Sequence, residues 1–329
     1  MAKKTENQSE SKTASVQSKK VSSTESNKDL LGILDGFFDK KLGWLIWAIL
    51  GITFLFSLLL FDSRVSLSGD DSFYIIRASD FIHSFKYPAF QGPLYPMVLS
   101  LFVAIFGINL VPLKVLSLIS LLGFMYLFYI AFRKRIPSTL LVIALLVMSI
   151  NSFLLYYGSQ TYNEAFYLLV QMALVLVFFR YFIDYEQALP LKKELYRHLY
   201  LALCLLALTL TKNMGYSAVF AVGGYFLLRG QWKNLIFSVA AFAIVLLVFQ
   251  GVKYVLWNEA GAQFSSQGSG LLNKDYYNPQ AGKEDLAGYF NRLTGNSNLY
   301  LSKHFASVLG FRKAEPIMTV NSLVTLLLY

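Results

Sequence analysis

The sequence predicts an all-α polytopic membrane protein, and three observations carry that prediction. Hydrophobic residues fill 56% of the 329 positions and charged residues only 15%, whereas an ordinary soluble domain carries about a quarter charged residues. The apolar residues are also clustered: no charge interrupts Leu42–Phe61, Ser138–Gln160 or Asn234–Val252. A helix needs about 20 mainly apolar residues to cross a hydrocarbon core roughly 30 Å thick, and each run is long enough. Together these exclude a soluble enzyme.

The formal charge of +10 does not point to nucleic acid. The basic residues sit in short clusters between apolar runs, which is where membrane proteins carry their cytoplasmic anchors. The single cysteine, Cys204, lies inside an apolar run, so no disulfide can form within the chain.

Positions 1–41 read as a cytoplasmic tail. Its first 28 residues are Lys, Ser, Thr, Glu and Gln with almost nothing apolar, too little to offset the entropy of ordering, so they are expected to be disordered. The tail ends in DLLGILDGFFDKK, whose Leu30, Leu31, Ile33, Leu34, Phe37 and Phe38 fall on one side of a helix and predict an interfacial segment.

Positions 42–256 read as the transmembrane module. Its basic connectors are Lys40-Lys41, Arg133-Lys134-Arg135, Lys192-Lys193 with Arg197, and Arg229 with Lys233. If all four face the cytoplasm, the spans follow. The first (43–61) goes out, 114–132 returns, 138–157 goes out and 165–182 returns. A pair of short arms (198–211 and 214–228) makes an outward hairpin, and 234–256 goes out again. The run PLYPMVLSLFVAIFG (93–107) is short and opens on prolines. A full crossing there would reverse the third span's parity, so it is expected to lie at or partly enter the outer interface. The outer loop 62–92 belongs to this module. Positions 257–315 read as an outer loop with an interface helix in NSNLYLSKHFASVLGF, and 316–329 as the start of a further span.

Three groups of residues could carry chemistry at the outer face. Asp70 and Asp71 follow a Ser-Gly turn; acids are favoured in a helix's first turn and Ser68 could cap it, but a carboxylate at the membrane surface could also take a proton from a hydroxyl or bind a metal ion. Glu164, in YYGSQTYNEAFYLL, sits at the start of a returning span, either solvated or reaching into the bundle, where an acid is costly and functional. Lys212 interrupts LALCLLALTLTKNMGYSAVF at the hairpin tip, either as a snorkelling anchor or as a cation for an anionic headgroup. Opposed acids and a lysine on one face suggest a base for an acceptor hydroxyl and a cation for a phosphate leaving group. His83, Lys303 and His304 also fall in outer segments, though a lone histidine is more often structural than a ligand.

These residues carry a resemblance. GDDSFYIIRASDF followed by QGPLYPMVLSLFVAIFG resembles the first-loop signature of GT-C glycosyltransferases. The nearest likeness is to the family-39-like branch of protein O-mannosyltransferases and lipid A aminoarabinose transferases. The matching features are Asp70-Asp71, Tyr74, Pro93 and Gly107; TYNEAFYLL and LTLTKNMGYSAV are similar to the family's second acidic turn and hairpin. The resemblance covers 43–256. It implies a GT-C-type transmembrane helix bundle with outer interfacial helices, and a transferase that moves a sugar from a polyprenyl-phosphate-linked donor by inverting displacement. With the basic connectors inside, the site faces outward from a bacterial plasma membrane, or an endoplasmic reticulum as the alternative, with membrane lipids around it and no nucleic-acid partner.

Asp70 would be the acceptor's base, with Asp71 beside it. Glu164 would organise the acceptor or a divalent metal, Lys212 would contact the donor phosphate, and Tyr74 and Tyr95 would serve substrate binding. Whether a metal is needed stays open, because no dense cluster of oxygen ligands can be read from the chain. Some relatives carry an acid or lysine before the proline of the second helix; here Gln91-Gly92 stands there. A lipid-linked substrate transporter or flippase, and a catalytically silent scaffold of the same fold, are the alternatives. Which sugar moves, and to what acceptor, the sequence does not specify.

Overall fold

A computed structural model of the chain describes residues 30–61, 63–66, 69–89, 91–184, 191–258, 272–275 and 278–311. The tail over 1–28 and the expected span start at 316–329 lie outside the described residues.

Helices make up almost all of the described chain, with no β-strand among the described residues beyond one isolated bridge between Asn273 and Lys283. The protein is an all-α membrane protein. Among the described residues, four helices are long and apolar enough to cross a membrane, namely α1 (Leu30–Leu60), α4 (Leu110–Phe132), α7 (Asn163–Phe178, continued by a π-helical turn to Ile183) and α10 (Trp232–Trp257). A fifth crossing is available from α5 (Ser138–Ile150) and α6 (Ser152–Gly158), which meet at a 60° bend.

Three features of these helices go beyond what the sequence specifies, the first in α1. The interfacial segment and the first span form one continuous 31-residue helix, because no glycine cap or proline separates them and both have the same helical spacing. The second is the bend in the third span. Asn151 ends α5 and its side-chain oxygen accepts from the Phe153 and Leu154 amides (2.9 and 3.2 Å), so one residue stops a helix and starts the next. The third is the hairpin's first arm, α8 (Leu191–Thr211), which at 21 residues is longer than the apolar stretch alone. Its partner α9 (Tyr216–Leu228) is short.

Between the first two spans lie α2 (Asp70–Ser84) and α3 (Leu94–Phe106). Gly69, at φ 78°, turns the chain into α2, and Gly107, at φ 63°, ends α3; both are left-handed positions that glycine takes without steric cost. Helix α3 has 13 residues, about 20 Å at ~1.5 Å per residue, short of a full crossing. Beyond α10 come α11 (Leu286–Leu299), capped by Asp285 onto the Gly288 amide at 2.7 Å, a π-helical turn to His304, and α12 (Phe305–Val308).

Three buried clusters hold the bundle together: α1 with α4, α5 and α7; α2 with α3 and α4; and α7 with α8, α9 and α10. Outward-facing Trp44, Leu59, Ile105, Phe220, Leu228 and Val255 are left exposed. Water would penalise such a surface, and a lipid environment removes the penalty.

The two ends of the bundle differ in charge. At one end the basic connectors meet: Asp39 accepts from the Ser138 hydroxyl, Asp35 accepts from the Thr139 amide (2.8 Å), and Arg135 pairs with Asp184. There too Arg197 donates to the Tyr181 carbonyl (3.2 Å) and to Asn234 (2.9 Å), tying α8 to the ends of α7 and α10. Asp70, Glu164 and Lys212 lie at the other end.

Candidate active site

Three helix beginnings converge at the end opposite the basic connectors. Asp70 and Asp71 occupy the first turn of α2, Glu164 the first turn of α7, and Lys212 the residue before a 3-10 turn (Asn213–Gly215) that leads into α9. Helix N-termini favour negative charge, so all three acids sit where the backbone dipoles support them.

The two aspartates have different surroundings. Asp71 is fully buried. It accepts from the Ser66 amide (2.6 Å), the Ser66 hydroxyl (3.1 Å) and the Ser72 amide (2.9 Å), which ties the preceding loop to the start of α2. Ser66 also meets the Tyr162 hydroxyl. Three hydrogen bonds leave Asp71 little capacity for another partner and fix it as an anchor. The N-terminal residue of α2 is Gly69, which has no side chain to cap with, and Ser68 lies outside the described residues.

Asp70 is partly exposed. Partial burial raises its carboxyl above the ordinary carboxylate value, the nearby Glu164 and Asp71 charges add to the rise, and the Lys212 ammonium opposes it. Asp70 therefore shares one electrostatic environment with Glu164 and Lys212.

Glu164 and Lys212 are joined directly. The Lys212 ammonium donates to Glu164 Oε1 at 2.7 Å, with the two side chains 22% and 28% exposed. Close backbone approaches hold the end of α8 just before Lys212. A Cβ at Gly92 would stand 2.6 Å from the Thr211 carbonyl carbon, and one at Gly215 would stand 2.6 Å from that of Leu208. Only a bare glycine fits such gaps. Asn163 adds a side-chain donation to the Thr211 carbonyl at 3.3 Å.

Tyr74 and Tyr95 form the floor. Their rings meet edge-on with centroids 5.1 Å apart, and both are buried. Burial pushes both phenols well above their ordinary value, so both remain neutral: Tyr74 donates to Gln91 (3.0 Å) and Tyr95 shares a hydrogen bond with Ser117 (3.3 Å). The α2–α3 packing encloses both rings. Gln91, in the place where an acid or lysine was sought, holds this tyrosine and takes a positive φ of 47°.

Several members of this constellation escaped the sequence reading. Lys114 opens the second span, yet it is fully buried and donates to the Arg64 carbonyl at 2.5 Å. A lysine within an apolar run was the available signal. Ser66, Tyr162, Asn163 and Ser117 carried none, since hydroxyls and amides are frequent in turns. His83 is exposed and bonds the Ser79 carbonyl (2.9 Å), while His304 packs its ring on Phe153 and Tyr300. Nothing is described of the Lys303 side chain.

Among the described residues, no group of three or more His, Cys, Asp or Glu side chains is arranged to hold a metal ion. Asp71 accepts from backbone and serine donors, and Glu164 accepts from an ammonium. Lys212 is the cation paired with Glu164. No family model, curated protein or solved structure matches this chain.

Proposed function

We propose that this protein is a membrane glycosyltransferase of the GT-C type, moving a sugar from a polyprenyl-phosphate-linked donor to an acceptor hydroxyl on the non-cytoplasmic face. One observation supports it above the others: a base-like carboxylate and a second carboxylate paired with an ammonium gather at one end of an apolar bundle, opposite the basic connectors.

In this proposal the donor's polyprenyl tail lies against the apolar helices and its phosphate meets Lys212. Asp70 takes the proton from the acceptor hydroxyl as that oxygen attacks the anomeric carbon. The carbon–oxygen bond to the phosphate breaks, its electron pair leaves with the polyprenyl phosphate, and the anomeric centre inverts. A phosphate leaves without strong acid help, so one base and one cation suffice. Glu164 orients the acceptor. Asp71, Tyr74 and Tyr95 hold the loop and helix that carry Asp70. With the four basic connectors on the cytoplasmic side, the site faces outward, as in a bacterial plasma membrane.

The bend at Asn151 favours a second reading, a transporter or flippase of a lipid-linked substrate, since transporters use broken helices at their binding sites. Those sites lie near the bilayer midplane, whereas the charges here gather at one end of the bundle. Purified protein with a polyprenyl-phosphate sugar and a screen of hydroxyl acceptors separates the readings. Transfer is expected in wild type and is expected to fall about 10²–10⁴-fold in Asp70→Asn. Transfer that survives Asp70→Asn, Asp71→Asn and Glu164→Gln overturns the site. Lipid translocation without any sugar transfer would favour the transporter.

A further inference from the structure

We propose that Lys212 serves two anions in turn, Glu164 before donor binding and the donor phosphate after it, so that donor binding breaks the ion pair and frees the Glu164 carboxylate for the acceptor. The proposal rests on the reading of Lys212 as the phosphate contact.

Four features of the site lead to it. The ammonium and Glu164 Oε1 are 2.7 Å apart, a charge-assisted hydrogen bond already formed. Both partners are about a quarter exposed, so an arriving anion can reach the ammonium without first opening the bundle. Two carboxylates, Asp70 and Glu164, act on this ammonium, which makes it a poor phosphate receptor while it stays paired. Finally, Lys212 has an extended backbone (φ −154°, ψ 141°) and leads directly into the 3-10 turn and α9. A helix start of this kind favours an anion, as the start of α7 does for Glu164.

Exchanging one charge-assisted contact for another is close to balanced. The pair therefore taxes donor affinity without blocking it, as any competing internal ligand does. The return is order. Before donor arrives, Glu164 is occupied and cannot accept from an acceptor hydroxyl. After the phosphate takes Lys212, Glu164 is released and Asp70 loses the cation that had been lowering its proton affinity. The acceptor's two carboxylates are thus armed by the donor, which orders donor binding before acceptor binding.

The test is the binding of undecaprenyl monophosphate to the full chain in lipid nanodiscs, with inorganic phosphate as a parallel ligand. Glu164→Gln is expected to tighten undecaprenyl monophosphate binding about ten-fold, since it removes the competitor and keeps the shape. Asp70→Asn removes an equal charge from the same region without touching the ion pair and is expected to tighten it much less. In Glu164→Gln/Lys212→Met the gain is expected to vanish. Glu164→Ala repeats the comparison, with thermal unfolding verifying that each variant is folded.

If inorganic phosphate shows the same Lys212-dependent gain, the exchange is confirmed for a phosphate alone; a gain confined to the lipid assigns it to the membrane-borne donor. If Lys212→Met abolishes binding while Glu164→Gln and Glu164→Ala leave it unchanged or weaker, the exchange is overturned and the phosphate role of Lys212 stands. An equal gain in Asp70→Asn overturns it in favour of general charge repulsion. If neither wild type nor Glu164→Gln binds undecaprenyl monophosphate, the proposed function falls, and the exchange with it.

Discussion

At the scale of the residue, Asp70 and Asp71 show how adjacency in sequence divides into different chemistry in space. One step along the first turn of α2 moves a carboxylate from a buried socket of three hydrogen bonds to a partly exposed position facing Glu164 and Lys212. The raised Asp70 carboxyl predicts a pH dependence. As the base, Asp70 must be ionised, so kcat/KM for sugar transfer is expected to fall as pH drops, starting above the ordinary carboxylate range. Glu164→Gln removes a charge that raises Asp70 and should move this limb to lower pH; Lys212→Met removes the charge that lowers it and should move the limb up. The pH profiles of the three proteins check the order.

Stability has its own sign. A raised folded-state carboxyl favours the protonated form, so its stabilising contribution is present at low pH and lost as pH rises through the folded value. Asp70→Asn is accordingly expected to be at least as stable as wild type near neutrality while losing activity.

At the scale of the element, the Lys212 turn is located by what is missing from two glycines. Gly92 and Gly215 let the α2–α3 connection and the start of α9 press against the end of α8. Gly92→Ala would drive a Cβ into the Thr211 backbone, which cannot give as a flexible side chain would. It is expected to cost about 1–3 kcal/mol and to impair Lys212-dependent binding. Gly224 in α9 has open space around its Cβ position, so Gly224→Ala should be neutral or slightly stabilising through helix propensity. Thermal unfolding of the two variants, with phosphate-lipid binding alongside, tests the contrast. Asn151 acts in the opposite way, by what its side chain supplies: it caps α6 and so converts one apolar run into two helices at 60°.

At the scale of the whole molecule, the separation of charge between the two ends of the bundle predicts membrane orientation. Lys134 is exposed at the basic end, and Ser84 is exposed at the end of α2, in the outer-facing part of the proposed arrangement. In a Cys204→Ser background, a cysteine at Lys134 should resist an impermeant thiol reagent in intact cells and one at Ser84 should react. The reverse pattern would invert the topology and move the carboxylates to the cytoplasmic side.

The sequence by itself determined what one-dimensional statistics can carry. Uninterrupted apolar runs dictate spanning helices because the hydrocarbon core tolerates few charges, and the clustered Lys and Arg divide the chain into crossings that the structure gathers at a common end. Isolated acids and a lysine within such a composition are conspicuous, so Asp70, Asp71, Glu164 and Lys212 could be singled out before any fold was known. Only the tertiary structure decided their partners. Which aspartate is spent on Ser66, that Lys212 reaches across 48 positions to Glu164, that Lys114 closes on the Arg64 carbonyl, and that Tyr74 and Tyr95 are walled in all depend on distances between segments far apart in the chain. Periodicity and charge report what a residue would cost in lipid, whereas a hydrogen bond or ion pair is decided by ångström-scale packing that no local pattern encodes.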